Sequence, residues 1–161
     1  MSLWFFILSQ FSVIACAIVG GAFLTFSDFV MRSLDRANTD AGIEVMQVIN
    51  REVFNFVFMA LFLGMTALSP LMIGYAVIYL SGPGAALIMA AGGIYLVGVF
   101  GVTMVFNVPM NKQLVTLDHA SQEAAAYWKN TYFPKWTLWN TVRTIASIAS
   151  ASCYLIAGTW I

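Results

Sequence analysis

Trp136, Asn140 and Arg143 fall at i, i+4 and i+7, so on a helix they stack an indole, an amide and a guanidinium along one face. Such N–H donors stabilise negative charge, whether on a bound polar ligand or on an oxygen that becomes charged during a reaction. The residues that follow, Thr144 to Ile161, carry no charge. An arginine at the head of so apolar a segment is costly to bury and needs either polar partners or a function.

Partners are available from elsewhere in the chain. Ser27 and Asp28 close a first apolar stretch, Asn50, Arg51 and Asn55 enter a second, and Asn107 and Asn111 leave a third. Together with Asn140 and Arg143 they form a polar belt at one depth. Asn and Arg near the ends of membrane helices also snorkel, cap helices or bond across a bundle. Polar groups converging from three helices exceed what capping requires, and the belt reads as a ligand or active site. In Asn107-Val-Pro-Met-Asn111 the proline is expected to end a helix and leave nearby carbonyls without amide partners.

The elements that must position this belt follow from composition. Of the 161 residues, 61% are hydrophobic and 9% charged, far below the charged fraction of about a quarter in soluble domains. The seven basic and seven acidic residues cancel, so no basic field points to nucleic acid. Charge-free stretches at 1–27, 53–111 and 144–161, with the turn signal Ser81-Gly-Pro-Gly84 splitting the middle one, predict four spans of about 20 residues. They fall near 4–27, 53–80, 84–107 and 138–160, with Pro70 expected to kink the second.

The predicted fold is all-α: one membrane domain over 1–161, a transmembrane four-helix bundle with additional amphipathic helices in the two connections. Alternating the spans puts both connections, and the Lys and Arg residues with them, on one face. The positive-inside rule makes that face cytoplasmic and both termini external. The connection before the second span carries Ile43, Met46, Ile49 and Val53 at helical spacing, with Asp40 as its expected N-cap. In the other connection, Ser121 caps a short helix with Glu123 in its first turn. There Tyr127, Trp128, Tyr132 and Phe133 suit an interfacial bed, and Pro134 a helical first turn. Small residues, among them Gly20, Gly92, Gly98, Ala146, Ser147 and Ser150, mark close helix approach.

Several classes are disfavoured. Cys16 and Cys153 lie in apolar stretches and read as packing residues. One histidine, His119, gives no multi-histidine metal site, so no metal is expected. Residues 1–27 lack Lys and Arg and their apolar run exceeds a signal core of about 7–15 residues, so they read as a retained helix, despite a lipoprotein-like Val13-Ile-Ala-Cys16.

The order Gly20-Gly-Ala-Phe, Phe26-Ser-Asp-Phe-Val-Met31, Met46-Gln-Val-Ile-Asn-Arg51, Phe106-Asn-Val-Pro-Met-Asn111 and Trp136-Thr-Leu-Trp-Asn-Thr-Val-Arg143 resembles the anthrone oxygenase-like family of small four-helix membrane proteins. The resemblance covers nearly the whole chain. It implies a multi-pass protein of a bacterial cytoplasmic membrane that oxidises an anthrone, or a similar flat phenolic substrate, with dioxygen and without a cofactor. For that reaction Arg143, Asn140 and Asn107 are the candidate oxyanion donors, and Asp28, then His119, the candidate base. Trp136 and Trp139 would wall the substrate slot, with Asn50, Arg51, Asn55 and Asn111 as further binding residues. The expected partners are the lipid bilayer and a hydrophobic aromatic small molecule, and a homo-oligomer is compatible. The competing reading is a noncatalytic accessory protein whose belt holds a quinone, a lipid headgroup or a partner helix.

Overall fold

A computed structural model describes residues 2–55 and 57–160; Met1, Phe56, which falls in the predicted second span, and Ile161 lie outside them. Every regular element among the described residues is helical, and these residues form five helices. Helix α1, Leu3–Arg36, starts where Ser2 Oγ accepts the Phe5 N–H at 3.3 Å. It widens into π turns over Phe26–Val30. Helix α2, Thr39–Glu52, is capped by Asn38, whose side chain accepts the Asp40 N–H. The cap is thus Asn38 and not Asp40, which instead sits in the first turn near the positive end of the helix dipole.

A short turn at Val53–Asn55 leads to α3, Val57–Tyr79, which continues as one helix through Pro70. Gly82 then takes φ +79°, a conformation glycine adopts without steric cost, and Pro83 opens α4, Gly82–Thr116. Proline does not end this helix as expected. The π turns at Thr103–Asn107 precede Pro109, which lies at the start of the α-helical segment Val108–Thr116, and the helix runs on through it. Helix α5 spans 122–157. Ser121 Oγ accepts the Ala124 N–H at 3.1 Å to start it, and π turns at Trp128–Tyr132 precede the segment Phe133–Ala157.

Helix α5 packs between α1 and α4, while α3 packs on α4 and α1. Three helices, α1, α3 and α4, are long and apolar enough to cross a membrane. The segment expected to be the fourth span falls short of their hydropathy because its buried face is polar: Asn140, Arg143, Thr144, Ser147 and Ser150 all point inward. Its outer face is not polar, with Leu138, Ile145, Ile148 and Leu155 exposed. Ser150 Oγ donates to the Ala91 carbonyl of α4 at 2.9 Å, an interhelical bond of the kind that substitutes for the missing hydrophobic drive between helices in lipid. Gly20 and Gly98 allow α5 in close. A Cβ on Gly20 would lie 3.0 Å from Ser147 Cβ, and one on Gly98 would lie 2.7 Å from Ala146 Cβ.

Helix α2 lies against the end of α1, the last turns of α4 and the first turn of α5. It builds a second core from Ile43 and Met46 with Met31, Leu114, Trp128, Tyr132 and Trp136. Gln47 Nε2 bonds the Leu114 and Leu117 carbonyls at 2.8 and 2.9 Å, and Trp128 Nε1 bonds Asp35 at 3.0 Å. Trp128 and Tyr132 are therefore buried anchors, not members of an interfacial bed.

Candidate active site

Where α2 meets the ends of the apolar helices, the chain encloses a cavity of about 490 Å³, a size suited to a small-molecule ligand. Its walls are aromatic, with Phe23, Phe26, Phe58, Phe62 and Phe100, while Asn50, Thr103, Asn111, Trp136, Asn140 and Arg143 supply polar edges. Its lining residues Glu52, Phe54, Leu63 and Met104 are exposed, so they mark its opening. Three of these four are apolar, and the mouth faces both the polar end of the molecule and its greasy flank.

Arg143 is 5% exposed and lies between two rings, its Cζ 4.2 Å from the Phe23 centroid and 5.3 Å from that of Trp136. Nη2 donates to Asn140 Oδ1 at 2.6 Å and Nη1 to Thr103 Oγ1 at 3.3 Å, while Nε has no partner among the described residues. No carboxylate pairs with it among the described residues. Ring faces and neutral oxygens compensate a buried cation only in part, so the cavity holds unspent attraction for an anion.

Asn140 is fixed in turn. Its Nδ2 donates to the Phe23 carbonyl at 2.6 Å and to Ser27 Oγ at 2.7 Å. That carbonyl belongs to the turn before the π segment Phe26–Val30, where the wider winding loosens the ordinary helical ladder. The amide can then face only one way, with its oxygen toward Arg143.

Behind the cavity wall runs a second set of bonds. Asn111 Oδ1 accepts both the Tyr132 O–H at 2.8 Å and the Trp136 Nε1–H at 2.7 Å, and Asn50 Nδ2 donates to the Tyr132 oxygen at 3.3 Å. Burial pushes the Tyr132 phenol up from its ordinary range, which keeps it a neutral donor to Asn111. Helices α2, α4 and α5 are tied together by one amide oxygen and one phenol.

Of the residues singled out from sequence, the fold gathers Asn50, Asn111, Trp136, Asn140 and Arg143 around the cavity. Asn107 is buried behind it, donating to the Trp136 carbonyl at 3.2 Å, with its own Oδ1 unpaired among the described residues. The others stand elsewhere. Asp28 is exposed on the π turn and His119 sits in the connecting turn, 3.9 Å from Asp118; neither lines the cavity. Trp139 stacks on Phe106 at 3.6 Å, and Arg51 and Asn55 are exposed. Sequence reasoning passed over Tyr132 and Thr103 as site residues, together with the phenylalanine walls. It also passed over Glu52, the one carboxylate among the described lining residues.

Among the described residues no three His, Cys, Asp or Glu side chains come together as a metal site requires. No curated protein and no solved structure matches the chain. A family model described as anthrone oxygenase matches residues 54–153, a span that includes Asn111, Trp136, Asn140 and Arg143 and excludes Phe23, Asn50 and Glu52. That match covers more than half of the 161 residues, and the chain belongs to the anthrone oxygenase family.

Proposed function

We propose that this protein is a multi-pass membrane oxygenase that binds a flat phenolic substrate of the anthrone type in the cavity and promotes its oxidation by dioxygen without a cofactor. It forms a single domain, a four-helix membrane bundle of α1, α3, α4 and α5 with α2 at its cytoplasmic end and both termini outside. The observation that carries the reading is Arg143, a buried guanidinium that meets no carboxylate among the described residues, at the edge of an aromatic slot.

An anthrone has an acidic methylene and, across its central ring, a carbonyl. Loss of a methylene proton places negative charge on the carbonyl oxygen, where Arg143 and the amide bonded to it lower the energy of the anion. The electron-rich anion reduces dioxygen itself. In the net reaction both methylene hydrogens leave, one oxygen atom enters as the new carbonyl and the other departs as water. Phe23, Phe58 and Phe62 supply apolar surface for the rings, and the partly apolar mouth admits a substrate dissolved in lipid.

Purified protein in detergent, given an anthrone under ¹⁸O₂, tests this. The expected product is a quinone carrying one labelled oxygen, formed faster than in protein-free solution. A rate equal to that of the protein-free control, from folded protein, would contradict the reading and favour a noncatalytic role for the belt.

A further inference from the structure

We infer that Glu52 is the catalytic base of this site, an assignment that rests on the oxygenase reading above. Proton removal needs an acceptor within reach of the substrate. Glu52 is the one carboxylate among the described residues that line the cavity. The earlier candidates stand away from it, Asp28 exposed on α1 and His119 in the connecting turn.

Structural duties do not account for a glutamate at this position. It ends α2, and a carboxylate at a helix C-terminus is disfavoured by the dipole. It forms no ion pair among the described residues. What it does have is the Asn55 amide, which donates to Oε2 at 3.5 Å across the turn Val53–Asn55 and restrains the direction of the carboxylate.

Its placement also complements the chemistry. Arg143 is buried while Glu52 is exposed at the opening, so the cavity has a cationic inner end and a basic outer end. A substrate whose carbonyl lies across the ring from its acidic methylene matches that polarity. With the carbonyl oxygen toward Arg143, a methylene C–H bond breaks, its electron pair passes through the rings onto that oxygen, and the proton moves to the Glu52 carboxylate. Exposure to water then lets Glu52 release the proton before the next turnover.

The test compares wild-type protein, Glu52→Gln and Glu52→Asp in detergent, following oxygen uptake with an anthrone carrying ordinary or deuterated methylene. Glu52→Gln is expected to keep the wild-type melting temperature and to bind the quinone product, read by tryptophan quenching, as tightly as wild type. Its turnover should fall by about a hundredfold and its isotope effect should rise. Glu52→Asp should restore part of the rate. Wild-type catalysis with Glu52→Gln unchanged in rate and isotope effect would overturn the Glu52 assignment alone. Wild-type protein no faster than protein-free solution would overturn the oxygenase reading and this assignment with it.

Discussion

Asn140 offers its amide oxygen to Arg143 at 2.6 Å while its nitrogen is held by the Phe23 carbonyl at 2.6 Å, so α1 fixes the direction of a cation carried by α5. The guanidinium has little freedom to turn from the cavity. Such fixing is what preorganised stabilisation of a charge requires, because the donors are already oriented when charge develops.

Asn111→Leu should destabilise the fold more than an ordinary polar substitution. It removes the acceptor shared by the Tyr132 hydroxyl and the Trp136 indole, leaving two buried donors, each costing about 1–3 kcal/mol if unsatisfied. Thermal unfolding in detergent should show a large fall in melting temperature. Substrate affinity should fall as well, because Trp136 loses the bond that orients its ring.

Access can be tested at the mouth. Leu63 and Met104 line the cavity and are exposed, so Leu63→Trp or Met104→Trp should obstruct entry while leaving the Arg143 end untouched. The expected result is a raised KM for a lipid-soluble substrate with kcat preserved. A kcat loss at constant KM would place the substrate path elsewhere.

Alkaline pH should loosen the α2, α4 and α5 junction. Burial raises the Tyr132 phenol above its ordinary value of 10.0, so the folded chain keeps a proton that the unfolded chain gives up. The stability tied to the neutral phenol is full below about pH 10 and is lost as pH rises from there through the folded value. Melting temperature should decline above that pH, and decline less steeply in Tyr132→Phe.

Gly98→Ala should be destabilising by about 1–3 kcal/mol, since overpacking forces helices or side chains to shift. The added Cβ would lie 2.7 Å from Ala146 Cβ on α5. Ala146→Gly in the same chain should recover much of the loss, a coupling that thermal melts of the two single variants and the double variant would measure.

Much of the site was legible because helical spacing alone puts Trp136, Asn140 and Arg143 on one face, and charge-free runs put Asn50 and Asn111 at the same depth. What spacing cannot supply is rotation past a π turn. Ser27, four residues after Phe23, reaches Asn140, whereas Asp28, the next residue of the π segment, faces out. Tyr132 was hidden because an aromatic residue near a membrane interface reads as an anchor until its partners, Asn50 and Asn111, are seen in space. Glu52 was hidden for a related reason: at the end of an amphipathic helix it reads as a solvated charge, and only the docking of α2 against the ends of α1, α4 and α5 brings it to the cavity. Trp139 shares a helix with Trp136 but turns to Phe106 instead.

The most direct test of the account is Arg143→Met, measured for both stability and turnover. Replacing a buried charge that lacks a carboxylate by an apolar side chain of similar length is neutral or stabilising when the charge serves function. The melting temperature should therefore hold or rise while anthrone-dependent oxygen uptake falls by about 10²–10³. A lower melting temperature with wild-type uptake per folded molecule would contradict the account and make Arg143 a structural residue.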